Sequence, residues 1–315
     1  MKLPIGKIRK ILIHALVKRK MPLDQARLVA EEYLEGELQG KLSHGLMAFP
    51  SLLGRDNLSY PKPKIIKRTA AMIIYDAKAT PAMVVVNHAL PWLTKTAKKQ
   101  GIALMLIKNM TTWLRPGTAA RMLADKGLIG IVVNNGGRPM VAAPNGREPV
   151  IGTNPIGIGL PTSKDPVVAD MATSVHAWGE VKKSELSGKP LPKGAFVDSR
   201  GRPAVKAKEA HAAQPAGGYK GFSLALLVEI LTGSFMNRAM GKTQMKGDYR
   251  TAGRGGVIIA LAPQTPVAKF KKANSRLVKE IGKILPGQRA WKNRAKNLKE
   301  GYLILDNDLA NSLEV

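Results

Sequence analysis

The chain has 315 residues, of which 44% are hydrophobic, so it can bury a sizeable core, and this excludes wholesale disorder. It contains no cysteine, which excludes disulfides, thiolate metal sites and cysteine nucleophiles. Lys and Arg number 50 against 22 Asp and Glu. The resulting formal charge of +28 either reflects a generally basic set of cellular proteins or attracts the phosphates of a cofactor, a nucleic acid or an anionic surface.

The first 20 residues predict a basic amphipathic helix, because their apolar residues recur at helical spacing. We interpret this helix as packing against the core, with a helix on a nucleic acid or a membrane surface as the alternative. No stretch of the chain has the length and apolar character of a signal peptide or a membrane span. The expectation is therefore a soluble, cytoplasmic protein with no membrane partner.

A second helix is predicted ahead of a short polar loop. Pro22 suits a first helical turn, and Gly40 ends the helix. Ser43 is then expected to cap a short helix that begins at His44. Because the positive end of a helix disfavours imidazolium, this placement would keep His44 partly neutral near pH 7, where it can donate or accept a proton.

Strand and helix patterns alternate after the proline-rich stretch 60–64, which is the best candidate for a linker. Strands are expected at 70–76, 81–90, 102–109, 128–135, 166–174 and 255–263. Helices are expected at 92–101, 118–127, 222–235 and over most of 269–300. The stretch 141–161 is rich in Gly, Pro and Asn and predicts loops close to a ligand. This alternation predicts a layered α/β fold.

Glycine and histidine spacings exclude several common sites. No G-x-G-x-x-G follows a predicted strand and no G-x-x-x-x-G-K-[ST] is present, which excludes the usual dinucleotide and phosphate loops. The five histidines do not stand at metal-ligand spacings, so we expect no metal site.

Four stretches, taken in their order and spacing, carry a family resemblance: GKLSHGL (40–46), REPVIGTNPIGIGLPT (147–162), VVADMATS (167–174) and GGYKGFSLALLVEILTG (217–233). Together they resemble the type 2 malate/L-lactate dehydrogenase family. KGLIGIVVNN (126–135), VDSRGRPA (197–204) and LPGQRAWKNRAKNLKEGYLI (285–304) extend the resemblance over nearly the whole chain. The stretch TTWLRPG (111–117) looks most like the diketogulonate reductase branch of that family.

The resemblance implies an NAD- or NADP-dependent oxidoreductase, usually a homodimer, that interconverts 2-oxo and 2-hydroxy acids or reduces related carbonyls and cyclic imines. It implies an α/β fold with a mixed-sheet cofactor domain of a non-Rossmann kind and a second α/β domain formed by both ends of the chain. We assign 65–211 to NAD(P) binding, and 1–64 with 212–315 to dimerisation and substrate binding.

The resemblance also implies roles for individual residues. The catalytic pair is His44, as proton donor to the substrate carbonyl, and Ser43, which orients the ring or touches substrate. Lys220 offers a charge for cofactor phosphates, and Gly221 permits close approach. Substrate contacts are expected at Thr112, Arg115, Thr153 and Asn154. Cofactor contacts are expected at His44, Thr153, Asp170, Met171, Ala172, Thr173, Lys220, Gly221 and Arg289.

Three positions depart from the family pattern. Ala48 stands where an arginine usually clamps the substrate carboxylate, and Thr112 stands where a second histidine is usual. Ala77 replaces a glycine of a glycine-rich turn. These changes indicate either an altered substrate, with Arg115 or Lys108 as the replacement cation, or lost turnover. In the second case the chain would be a basic protein that binds nucleic acid or a ribonucleoprotein, or a scaffold that binds cofactor without reaction.

Overall fold

The structure, a computed structural model, describes residues 1–54, 57–245, 253–282 and 284–313. The helices are α1 (Ile5–Lys18), α2 (Leu23–Leu38), α3 (Phe49–Leu53), α4 (Ala82–Gln100), α5 (Pro116–Asp125), α6 (Gly179–Ser187), α7 (Tyr219–Thr232), α8 (Val267–Ile281), α9 (Gln288–Glu300) and α10 (Asn307–Leu313). The strands are β1 (Lys2–Pro4), β2 (Lys64–Arg68), β3 (Met72–Asp76), β4 (Ile102–Met110), β5 (Ile129–Asn134), β6 (Val141–Ala142), β7 (Pro149–Ile151), β8 (Ile156–Leu160), β9 (Val167–Met171), β10 (Phe196–Val197), β11 (Ala212–Ala213), β12 (Arg254–Leu261) and β13 (Tyr302–Ile304).

The chain divides into two compact units. Met1–Pro61 and Ile284–Val315 form the first unit, and Lys62–Lys283 forms the second. Both chain ends therefore fold together, and the division falls inside the proline-rich stretch. The stretch 212–283 differs from the expected assignment, because it lies in the second unit rather than with the chain ends. The physical reason is β12, which is hydrogen-bonded on both sides within the main sheet of that unit.

The first unit is helical with one small sheet. Strand β1 pairs antiparallel with β13, which joins the two ends of the chain. Helix α1 packs against α2, which confirms its core-packing interpretation. Of the apolar residues predicted from its spacing, Ile8, Leu12, Ala15 and Leu16 are buried, whereas Ile11 is half-buried; Ile5 is buried as well. The remaining face of α1 carries its exposed basic residues.

The second unit contains a seven-stranded mixed sheet in the order β2-β3-β4-β12-β5-β8-β9. Strands β3 and β4 are parallel, whereas the other neighbouring pairs are antiparallel. The mixed α/β fold is therefore confirmed. Helices α4 and α5 cover one face, where Val85 and Leu93 pack with Met105 and Ile258. Helix α7 lies on the other face through Val228.

The prediction of a strand at 81–90 is wrong, because these residues begin the 19-residue helix α4. Pro81 precedes its first turn, and residues 82–86 are all buried. A run of three valines favours a strand by intrinsic preference, but burial on the sheet decides the conformation here. The helix continues through Pro91, whose ring is exposed.

Part of the stretch 141–161, which is predicted as loops, forms strands: β8 lies in the seven-stranded sheet, and the others lie in a second sheet. Its four short strands follow the order β10-β11-β6-β7, and two of them, β6 and β7, lie within 141–161. Val141, Ile151 and Phe196 form its core, with the ring of Trp178 edge-on to Phe196 at 5.8 Å. This sheet leads the chain into the Gly152–Pro155 loop.

The turn after β3 keeps left-handed backbone without the usual glycines. Lys78 has a φ of 52° and Ala79 a φ of 64°, which costs an L-residue about 1–2 kcal/mol each. Asp76 stabilises the turn, because its Oδ1 accepts hydrogen bonds from the Lys78 amide at 3.0 Å and from Asn109 Nδ2 at 2.9 Å. Partial burial alone would raise the pKa of Asp76, but these bonds outweigh it and the pKa is lowered.

Candidate functional site

The loop that carries His44 in the first unit is a 3₁₀ turn, Leu42–His44, followed by a second one, Leu46–Ala48. Lys41 occupies the capping position, so the prediction of Ser43 as the cap is wrong. A 3₁₀ turn that includes both residues leaves no new helix start at His44. Instead, Ser43 Oγ lies 3.0 Å from His44 Nδ1, which allows the hydroxyl to orient the ring.

Two glycines fix the backbone of this loop against α2. A Cβ on Gly36 would lie 2.2 Å from the carbonyl oxygen of His44, and one on Gly45 would lie 2.8 Å from the amide nitrogen of Glu37. Leu46 N donates to Glu37 Oε2 at 3.0 Å. Burial raises the pKa of Glu37, and the Leu46 bond offsets part of that rise. The loop is thus held by close packing and one buried carboxyl.

Helix α9 braces the end of α2 just before this loop. Arg294 binds Glu35 through two nitrogens, at 2.8–2.9 Å, in a bidentate pair. Asn297 Nδ2 donates to Leu38 O at 2.9 Å, so it satisfies a terminal carbonyl of α2. Arg289 lies in the first turn of α9 and is exposed. Ser43, His44 and Arg289 are therefore all part of the first unit.

The second unit brings three expected cofactor residues together at the end of β9. Thr173 donates through its amide and its hydroxyl to Thr153 O, at 3.0 and 2.9 Å. Gly221 packs on the same segment, because a Cβ there would lie 2.7 Å from Thr173 O and 2.2 Å from Ala216 O. The Gly152–Pro155 loop, the end of β9 and the start of α7 form one contiguous cluster.

Asn154 lies inside this cluster with no exposed surface. Its Oδ1 accepts from Gly136 N at 3.0 Å, and its Nδ2 donates to Ala225 O at 2.8 Å and to Glu229 Oε2 at 2.7 Å. With its polar atoms bonded to protein, Asn154 is placed to shape the loop and not to touch substrate. Sequence reasoning missed Glu229, although a lone carboxylate in an apolar helix is itself a signal of a buried polar contact.

Asp170 on β9 contacts the start of α5, which Arg115 directly precedes. Gly117 N donates to Asp170 Oδ1 at 3.2 Å, and a Cβ on Gly117 would lie 2.4 Å from Asp170 Cβ. The carboxylate therefore satisfies a first-turn amide of α5. Arg115 is only 2% exposed, so its guanidinium does not face solvent as a replacement clamp would. Thr112 is half-buried, and its carbonyl accepts from Ala82 N at 2.9 Å.

The surface beside this cluster fits a pyridine nucleotide. Gly217 and Gly218 have φ values of 62° and 63° directly before α7, and Lys220 is exposed in its first turn. A helix N-terminus with a lysine attracts phosphate. Met171 is 50% exposed and, with the half-buried Ala172, offers apolar surface to a ring. The lysine and the helix N-terminus suit the phosphates of such a cofactor, the two glycines leave room for it, and the apolar side chains suit its ring.

Basic residues also form a stripe on α8. Lys269, Lys272, Arg276 and Lys279 are exposed and recur at intervals of three and four, which places them on one helix face.

Among the described residues, no group of three or more His, Asp or Glu side chains is arranged to hold a metal ion. No helix within the described ranges has the length and apolarity needed to cross a membrane.

Comparisons with known proteins agree with this geometry. The family model described as malate/L-lactate dehydrogenase matches residues 3–314. The L-sulfolactate dehydrogenase of Methanocaldococcus jannaschii is 30% identical, over 97% of this chain and 93% of its own. The Delta(1)-pyrroline-2-carboxylate reductase of Pseudomonas fluorescens is 30% identical, over 89% and 88% respectively. A dehydrogenase structure from Sinorhizobium meliloti superposes with a TM-score of 0.90 at 29% identity, over 99% of this chain and 97% of that one.

Proposed function

Because the chain belongs to the malate/L-lactate dehydrogenase family, we propose that it is an NAD(P)H-dependent oxidoreductase that interconverts a small 2-oxo acid, or a related carbonyl compound, and its 2-hydroxy acid. Dehydrogenases and reductases of this family depend in general on pyridine nucleotides, and the chain is an enzyme of this type. The observation that carries the finer proposal is the Ser43–His44 contact, since it equips one imidazole of the family's motif for proton transfer.

His44 is the proton donor in the proposed reaction. The reduced nicotinamide, when bound, supplies a hydride to the carbonyl carbon. Charge then develops on the carbonyl oxygen, and a positioned acid must neutralise it. Ser43 engages Nδ1 and fixes the ring orientation, so Nε2 is the nitrogen that we assign to the transfer. Gly36 and Gly45 hold the backbone on either side of that ring.

In this proposal the substrate is not held as malate would be, because the arginine that usually clamps the substrate carboxylate is missing. Ala48 cannot make the bidentate contact of an arginine, and it is half-buried. Arg115 is buried, and Lys108 lies close enough to Asp76 to lower the pKa of that carboxylate. Neither side chain therefore favours the role of replacement clamp. We propose a carbonyl compound whose binding depends on shape and single hydrogen bonds, including one to Thr112.

The test of this function is the oxidation of NADH and of NADPH, followed by absorbance, with a panel of 2-oxo acids, cyclic imines and diketo sugar acids. Turnover with at least one panel member, above a blank without enzyme, is the expected result. No turnover with any of them, together with retention on nucleic acid that weakens steeply with salt, would instead favour the basic binding protein, with the α8 stripe as its first candidate surface.

We further propose that the protein is a homodimer through the outer face of α7. Leu224, Leu227 and Ile230 on this helix are each more than 40% exposed, and Phe235 follows at 57%. Such a contiguous apolar face is typical of a protein interface. Light scattering should give about twice the chain mass of 33.9 kDa. Leu227→Lys should give the single-chain mass, whereas Leu186→Lys on α6 should stay dimeric; equal masses for both variants would contradict this surface.

A further inference from the structure

Glu229 is the one carboxylate of α7, and it links that helix to two other segments of the second unit. We propose that Glu229 is a positioning residue for the reaction, which holds Asn154 and thereby fixes the shape of the Gly152–Asn154 loop. This inference rests on the proposed function, because it assigns that loop to the bound nicotinamide and substrate. Glu229 itself touches neither of them.

Both carboxylate oxygens of Glu229 have a backbone or side-chain donor. Oε2 accepts from Asn154 Nδ2 at 2.7 Å, and Oε1 accepts from Gly241 N at 2.8 Å. The side chain is only 2% exposed, so these bonds form away from bulk water. Hydrogen bonds to a charged acceptor are short and strong, and a low local dielectric strengthens them further.

Asn154 passes this constraint on to the loop. Its φ is 38°, a left-handed conformation that an L-residue keeps only when the surroundings impose it. Its Oδ1 accepts from Gly136 N at 3.0 Å, and a Cβ on Gly152 would lie 2.6 Å from that same oxygen. The amide group thus fills the space between two backbone segments, so a shift of the loop would break a hydrogen bond or disturb this packing.

The loop in turn sets the position of the segment after β9. Thr153 O accepts both bonds from Thr173, and a Cβ on Gly136 would lie 2.7 Å from Thr153 N. A shift of Asn154 would therefore displace Thr153 and Thr173 together. An error of about 1 Å in a reacting geometry can cost about 100-fold in rate. The buried contact between Glu229 and Asn154 can therefore control turnover although it touches neither cofactor nor substrate.

The positioning role requires the two acceptor oxygens of a carboxylate, and a side chain of the same shape with only one acceptor does not suffice. Two of the partners of Glu229, Asn154 Nδ2 and Gly241 N, are N–H donors. A carboxylate can accept from both, whereas the amide of a glutamine has one acceptor and must turn N–H groups towards one of the two donors. Glu229→Gln therefore keeps the volume, breaks one bond and leaves a buried donor unsatisfied.

The first experiment compares Glu229→Gln with the wild-type protein and with Thr232→Val. Thr232 is a matched control, since it is wholly buried on the same helix and donates a hydrogen bond back to Val228 O at 2.7 Å. For Glu229→Gln we expect kcat/KM to fall about 10- to 100-fold and the fluorescence-titrated Kd for NADH or NADPH to rise. For Thr232→Val we expect a lower melting temperature with kcat and Kd close to wild type.

The second experiment is a double-mutant cycle with Asn154→Gly, which tolerates positive φ but cannot bond Glu229. If both residues act through one contact, the double variant should lose no more activity than the more impaired single variant. Additive losses, or a Glu229→Gln variant whose kinetics match those of Thr232→Val, would overturn the positioning role alone. A wild-type protein that binds neither nucleotide would overturn the proposed function, and this inference with it.

Discussion

Replacing His44 by alanine is expected to lower kcat about 10²- to 10⁴-fold, because the developing alkoxide loses its proton donor. The nucleotide Kd should change less than kcat, because His44 is only one of the expected cofactor contacts, and those to the phosphates and the ring are expected at Lys220 and Met171. The measurement is steady-state oxidation of NADH or NADPH with the best substrate of the panel, alongside a fluorescence titration of the nucleotide. A fall in kcat without a matching rise in Kd identifies a group that acts on the reaction itself.

Ser43→Ala is the matched control for this prediction. It removes the hydroxyl that lies 3.0 Å from Nδ1 but keeps the imidazole, so we expect a loss of about 10-fold or less. If the alanine variant at position 44 kept most of the wild-type kcat, the proton would have to come from another group. If the wild-type protein bound neither nucleotide, the proposed NAD(P)H-dependent reaction would be wrong.

Local patterns predict much of this fold, because they depend on neighbours in the sequence. The apolar spacing of α1 and the aliphatic run of β4 correspond to the observed helix and strand. The valine run of 84–86 misleads, since its helix is selected by packing on the sheet. The insertion of β12 between β4 and β5 has no sequence signal, because it joins segments more than 100 residues apart.

In the candidate site, too, sequence patterns identify the features that are local in the chain and miss those that join distant residues. The Ser43–His44 pair is adjacent in sequence, and the family motif identifies it directly. Its local structure is a 3₁₀ turn, which the helix-capping rule does not distinguish from a helix start. The partnership of Asn154 with Glu229 spans 75 positions, and only the fold reveals that the amide is used internally. Motif reasoning thus finds the region, while the structure separates contact residues from supporting ones.

Gly221→Ala is expected to cause the second-largest effect, in stability as well as in binding. An added Cβ would lie 2.2 Å from Ala216 O and 2.7 Å from both Ala216 N and Thr173 O. These atoms are backbone, so no side chain can turn away, and the start of α7 must move off the end of β9. We expect a loss of about 3 kcal/mol in the free energy of unfolding.

That loss corresponds to a fall of about 6–12 °C in melting temperature for a unit of this size, measured by circular dichroism. Nucleotide affinity should weaken as well, because Lys220 and Thr173 lose their fixed spacing. Gly188→Ala, at the end of α6, is the control, since its Cβ would meet nothing within 4 Å and only its left-handed backbone, with φ of 67° and ψ of 0°, opposes alanine. It should cost about 1 kcal/mol. Equal melting temperatures for the two variants would show that helix α7 does not depend on contact with Ala216 and Thr173.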